Sequence, residues 1–192
     1  MPGRLPVTGV PQSWELREFT GKANVELVRS ELGPALRLRS EQTSFALYRD
    51  VVIDLEELPM LSWSWKVTQL PTGGDVRQPT RDDQAAQVYV VFPRWPSPRT
   101  NSDVIGYVWD TTAPVGTQLV SRKASNVRIL VVESGAAGLG VWRRQGRNVS
   151  EDYVALFGRR PPRVGSLAVM VDANDTASAA EFWITDLAFS RS

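Results

Sequence analysis

A chain of 192 residues with 42% hydrophobic and 22% charged side chains is long enough to bury a core and too apolar to remain disordered. It contains neither Cys nor His, which excludes thiol nucleophiles, disulfides, the usual zinc sites and a Ser-His-Asp triad. Its formal charge of +1 balances 22 basic against 21 acidic residues; the two signs are interleaved, which argues against a nucleic-acid-binding stripe.

All basic residues except Lys22, Lys66 and Lys123 are Arg, whose planar guanidinium suits well-ordered surface pairs. No run approaches the roughly 18 apolar residues of a membrane-spanning helix. Any resident metal would be a hard cation held by oxygen, such as calcium.

In chain order, "MPGRLPVTGVPQSW" lacks the charged start and apolar run of a signal peptide. Period-two alternation then begins. In "ALRLRS" Leu36 and Leu38 point one way while Arg37 and Arg39 point the other, the mark of a half-exposed strand. Similar runs are "WELREF", "NVELVRSEL", "SFALYRDVVID", "MLSWSWKV", "QVYVVF", "VIGYVWD", "VRILVVES", "LGVWRR", "SLAVMVD" and "EFWITDLAF", separated by Gly, Pro, Asn and Asp.

One helix is signalled over residues 150–158. Ser150 is placed to cap it, Glu151 and Asp152 suit its positive end, and Gly158 followed by Pro161 stops it. Tyr153, Leu156 and Phe157 form its apolar face. The pattern predicts a single all-β domain over residues 1–192, an antiparallel β-sandwich or jelly roll of about ten or eleven strands with this one helix.

Two connections, residues 71–85 and 111–126, exceed the ordinary loop length of compact domains. If successive strands run antiparallel, both lie at one end of the sandwich, with "PRWPSPRTNSD" at the other. Asp75, Arg77, Arg81, Asp82, Asp83, Trp109 and Asp110 therefore form the candidate ligand site. Acids and Arg residues can hydrogen-bond a polar ligand such as a sugar, and an exposed Trp offers a face to a pyranose ring. The competing expectation is that Asp82 and Asp83 pair with Arg77 and Arg81 only to order the loop. The stripes Trp63/Trp65 and Ile105/Tyr107/Trp109 fit core packing, with Trp95 the aromatic expected to be exposed. Glu133 approaches Asp110 if their strands pair.

Near the end, Asp172, Asn174 and Asp175 read either as a turn or as oxygen ligands for calcium. A helix-flanked calcium loop needs a central Gly and regularly spaced acids, and "DANDTASAAE" lacks both. A tight turn is the simpler reading. In the strand that follows, Asp186 lies among apolar residues and is expected to need an Arg, backbone donors or a cation beside it.

The segments "SFALYRDVVIDL", "LSWSWKV", "LPTGGDVR", "DDQAAQVYVVFPR", "GYVWDTTAPVGT", "NVRILVVESG", "GRNVSEDYVALFG" and "AEFWITDLAF" resemble the bacterial family numbered 3047 among the domains of unknown function, over residues 13–192. The resemblance implies a jelly roll akin to carbohydrate-binding modules, often secreted or in the cell envelope, with no established catalytic residue. Galactose-binding-type modules hold calcium between an acid of the first strand and one of the last, positions that Glu15 and Asp186 would take here. The expected function is non-enzymatic binding of a glycan or similar polar ligand, with no cofactor beyond a possible structural calcium. The alternatives are an accessory subunit docking onto another protein, and a glycoside hydrolase or lyase.

Overall fold

The computed structural model describes residues 10–96 and 101–192. Among them, twelve strands build two sheets: β1 (Glu15–Thr20), β2 (Asn24–Ser30), β3 (Gly33–Glu41), β4 (Ser44–Ile53), β5 (Met60–Gln69), β6 (Ala86–Pro93), β7 (Ser102–Asp110), β8 (Gln118–Val120), β9 (Val127–Ser134), β10 (Arg143–Asn148), β11 (Val164–Asp172) and β12 (Ala179–Ser190). The first sheet has seven strands in the order β1-β4-β11-β6-β7-β9-β8, the second five in the order β10-β5-β12-β3-β2. This is the expected jelly-roll sandwich. Short β8 carries too few residues to alternate visibly.

Alternation explains how the sheets face each other. Leu38 of β3, Phe45 and Leu47 of β4, Trp63 and Trp65 of β5, Tyr107 and Trp109 of β7 and Phe182 of β12 are all excluded from solvent in one apolar core. Trp63 meets Trp65 edge-on at 5.3 Å and tilts against Tyr107 at 5.5 Å, so the two aromatic stripes interlock between the sheets. Trp95 is 86% exposed, as expected.

The helix α1 spans Val149–Phe157, one residue earlier than anticipated. Its cap is Asn148, whose Oδ1 accepts from Glu151 N at 3.2 Å, rather than Ser150. Both side chains are good caps, and the choice followed the end of β10, which brings Asn148 to the helix start. Gly158 closes the helix in the left-handed conformation. The apolar face is as predicted, with Tyr153 buried and stacked on Phe157.

One pairing departs from the antiparallel expectation: β7 and β9 run parallel, Val104 opposite Val127. A parallel neighbour requires the chain to return to its starting end before pairing. Residues 111–126 make that return, passing through β8, which pairs antiparallel with β9. They bury a second apolar cluster of Val76, Val108, Ala113, Ile129 and Val131, with Leu119 against it, on the face of the sheet turned away from the core.

Asp186 sits at a bulge in β12 with φ +56°, exposed to solvent. The bulge turns its side chain out of the apolar pattern, so the partner expected for a buried acid is unnecessary.

Candidate functional site

The end-loop residues hold one another. Buried Asp110, at the end of β7, accepts from Val76 N (2.8 Å), Thr112 N (2.7 Å) and Ala113 N (2.6 Å), tying both long loops to the sheet. Burial pushes its carboxyl up, and those three amides pull the other way. Buried Asp75 takes a two-pronged contact from Arg77 at 2.8 Å, and that guanidinium holds it down at about 2. Trp109 is fully buried and donates to Gly135 O, so it presents no face to a ligand. Arg81 is exposed. Glu133 lies opposite Trp109 in the β7–β9 register and accepts from Gln145. The two long loops do start at the same end, as expected, but only 71–85 stays there.

Among the described residues, neither acid of the Asp82-Asp83 pair bonds an Arg. Asp83, fully buried, accepts from Asp175 N (3.1 Å), Thr176 N (2.6 Å) and Thr176 Oγ1 (2.6 Å). It thereby clamps the turn that carries the chain from β11 in one sheet to β12 in the other. Asn174 and Asp175 thus serve a turn, as the simpler reading had it. Asp175 also pairs with Lys123. Glu15 is exposed and pairs with Arg17. No group of three or more acidic side chains among the described residues is placed to hold a metal ion.

The large opening lies elsewhere, on the outer face of the seven-stranded sheet. A cleft of about 620 Å³ crosses β4, β11, β6, β7 and β9. That volume is in the range of small-ligand sites. Its floor is the set of alternate residues left over once the core took the others: Tyr48, Met170, Tyr89, Val91, Val104 and Ile129. Phe19 and Thr20 of β1 bound it on one side; Ser121, Lys123 and Ala124 of the return connection bound it on the other.

Tyr89 lies over β7 because its partner in register is Gly106. A Cβ at Gly106 would come within 2.6 Å of the Tyr89 ring and 2.8 Å of Ile129.

A polar ladder lines one end of the cleft. Tyr89 Oη donates to Gln87 Oε1 (2.5 Å), Gln87 Nε2 to Gln84 O (3.4 Å), and Gln84 Nε2 to Asp82 Oδ1 (2.9 Å). Asp82 Oδ2 lies 3.8 Å from Lys123 Nζ. Burial raises the Asp82 carboxyl despite Gln84 and Lys123. For Lys123, burial acts to lower the ammonium, but the hydrogen bond to Asp175 and the charge of Asp82 outweigh it and raise it.

Asp172, the last residue of β11, closes the ladder. It is 6% exposed, lines the cleft, and its Oδ1 has no hydrogen-bond partner among the described residues. Burial, then the hydrogen bond and charge of Asp83, push it up to about 8, against the pull of Lys123 and the Asn174 backbone. Of the seven ligand-site residues expected from the sequence, only Asp82 lines this cleft; of the five residues weighed as metal ligands (Glu15, Asp172, Asn174, Asp175 and Asp186), Asp172 and Asn174 do. The missed residues, Gln84, Gln87, Tyr89 and Lys123, carry a weak sequence signal: polar or aromatic side chains at the outward positions of strand "QVYVVF", just before it in "RDDQAA", and in the loop "SRKASN".

The fold and the cleft define a β-sandwich protein with an open cleft on one sheet face. The chain belongs to the family described as Protein of unknown function (DUF3047), whose model matches residues 12–188. No curated protein matched the chain. Among solved structures, endoglucanase Cel12A from Rhodothermus marinus shares the fold at TM-score 0.51 and 10% identity, over 92% of this chain and 95% of that one. The xyloglucanase domain of NopAA, a type three effector from Sinorhizobium fredii, superposes at TM-score 0.50 and 11% identity, over 94% of each chain. A family 30 carbohydrate-binding module of a Clostridium thermocellum cellulosomal cellulase is similar at TM-score 0.47 and 12% identity, covering 90% of this chain and 88% of that one. Against the enzymatically active domain of tailspike protein 4 of bacteriophage CBA120, this chain spans 19% of that structure's length (93% of this chain, 11% identity, TM-score 0.45). At these identities the likeness is one of fold.

No helix among the described residues is long and apolar enough to cross a membrane.

Proposed function

We propose that this protein binds a carbohydrate chain, without transforming it, in the cleft over the seven-stranded sheet. The observation that carries the reading is the cleft itself: about 620 Å³, open, floored by Tyr48, Tyr89, Val91 and Met170, and edged by the ladder of Gln87, Gln84 and Asp82. Apolar floor and polar edge match the two surfaces of a sugar ring, whose carbon faces pack on aromatics while its hydroxyls take directed hydrogen bonds. Asp82 and Gln87 are the proposed hydrogen-bonding partners, and Tyr48 and Tyr89 the proposed platforms. The end-loop set of Asp75, Arg77, Arg81, Asp83, Trp109 and Asp110 is assigned to holding that end together.

Titration calorimetry with cello-, xylo- and glucosamine-type hexasaccharides tests the reading. Measurable binding by at least one of them, weakened in Gln87→Ala while the protein stays folded by circular dichroism, is the expected result. Binding that survives loss of Gln87, Asp82 and Tyr48 together would place the ligand elsewhere. Shortened products after incubation would show a hydrolase instead of a binding protein.

A further inference from the structure

The floor of the cleft changes character along the strands. Register places Gln87 opposite Met170, then Tyr89 opposite Ala168 and Gly106, then Val91 opposite Val104, which has Val127 as its neighbour in β9. One end of the cleft therefore carries the ladder of Asp82, Gln84 and Gln87, and the other a row of three valines, one each from β6, β7 and β9. All three valines are half-buried and line the opening.

Such a row is out of place on the open face of a largely antiparallel sheet, where alternation ordinarily puts polar residues. The other sheet follows the rule: the residues of β5 that alternate with core Trp63 and Trp65 are Ser62, Ser64 and Lys66. In β6 and β7 both faces are apolar, with Val90 and Ile105 in the core and Val91 and Val104 in the cleft. Apolar side chains grouped on an open face mark a contact surface.

The two ends suit different parts of a ligand. A sugar ring carries hydroxyls around its rim, and over the valines it would give up their water without gaining partners, which is unfavourable. Among the residues lining that end only Ser121 has a side-chain hydroxyl, and its Oγ already accepts from Lys123 N at 3.2 Å. Hydrocarbon meets no such loss there. The row crosses three neighbouring strands, about 10 Å at the usual strand spacing, which is the length of a short aliphatic chain. It ends beside Ala124, whose carbonyl accepts from Val127 N at 3.0 Å.

We infer that the cleft takes an amphiphilic glycoside, its sugar held at Gln87 and its aliphatic chain laid along Val91, Val104 and Val127. Tyr89 stands at the junction, its hydroxyl tied to Gln87 on the polar side and its register position one step from Val91 on the apolar side. The inference rests on the carbohydrate-binding reading and names the ligand class within it.

Calorimetry below the micelle-forming concentration compares octyl β-cellobioside, methyl β-cellobioside and cellohexaose, so that the first pair differs only in the chain. The expected result is at least about tenfold tighter binding of the octyl than of the methyl glycoside, at one site per protein. Val91→Thr with Val104→Thr keeps the β-branched shape and places hydroxyls in the row; it should remove most of the octyl advantage and leave methyl cellobioside and cellohexaose unchanged. Gln87→Ala should weaken both cellobiosides alike. Equal binding of the octyl and methyl glycosides in the unmodified protein, an octyl advantage that persists in the threonine variant, or octyl binding indifferent to Gln87→Ala would overturn the amphiphile assignment, while cellohexaose binding still reports on the carbohydrate reading. Failure of all three ligands to bind would remove both.

Discussion

Two buried aspartates end strands of the same sheet and meet opposite circumstances. Asp110, at the end of β7, accepts three backbone amides and pins both long loops. Asp172, at the end of β11, shares a hydrogen bond with a second buried carboxyl, Asp83, and its enclosed Oδ1 has no partner among the described residues. Burial raises both carboxyls, so burial alone does not distinguish an acid satisfied by backbone amides from one set beside another carboxyl. The distinction lies in how many donors the backbone supplies. A fully satisfied carboxylate stabilises its loop; an unsatisfied one is a liability that folding tolerates.

The contrast breaks most visibly in stability. Asp110→Ala strands three amides and should destabilise the protein by ~4 kcal/mol, read from the denaturant midpoint. A loss under ~1 kcal/mol would mean that the two loops are held by something else.

Asp172→Asn should act with the opposite sign. The folded protein holds Asp172's proton up to about pH 8, whereas the unfolded chain releases it near an ordinary carboxylate pKa. In that window the folded state binds more protons, so the stability this group contributes is present at acid pH and is lost as pH rises toward 8. Asn removes that loss, stabilising the protein by ~2 kcal/mol at the alkaline side of the window and by little below it. Urea midpoints of the two proteins across this pH range check the sign, and parallel curves would refute it.

A smaller effect concerns the floor. Gly106→Ala drives a methyl into Tyr89 and Ile129, and the displaced ring should weaken hexasaccharide binding about tenfold, a difference of ~1.4 kcal/mol. Unchanged affinity would show that Tyr89 is no platform.

The smallest effect belongs to the opposite face of the sandwich. There Arg37 is bonded to Glu26 and Glu181, and Lys66 lies over the rings of Trp142 and Trp183 while Glu31 holds its ammonium. These groups serve one another at a half-exposed surface. Arg37→Met should therefore shift stability by no more than ~1 kcal/mol and leave carbohydrate affinity alone.

Much of the fold was legible in the chain. Leu36–Arg39, Trp63/Trp65 and Ile105/Tyr107/Trp109 alternate with period two because one face of each strand is buried, and that periodicity survives in any single sequence. Gly158 ended its helix as expected because only a left-handed residue fits there. The site was less legible. Residues 71–85 and 111–126 stand out by loop length, yet the first mostly ties its end of the sheet together and gives the cleft only Asp82 and Gln84, while the second walls the cleft. Only the parallel pairing of β7 and β9, invisible in local patterns, sends the second across the sheet.

Local chemistry along the chain, then, determined the strands, their inward residues, the single helix and the exclusion of Cys and His chemistry. Such properties depend on neighbours within a few residues. Tertiary structure alone decided which acids were satisfied. Asp83 and Asp172 lie 89 positions apart, and their proximity arises from a turn in one sheet-to-sheet crossing meeting a loop from another. Whether a carboxylate is satisfied by its loop or left beside another acid depends on donors that distant segments bring to it, and that is set when the sheets close.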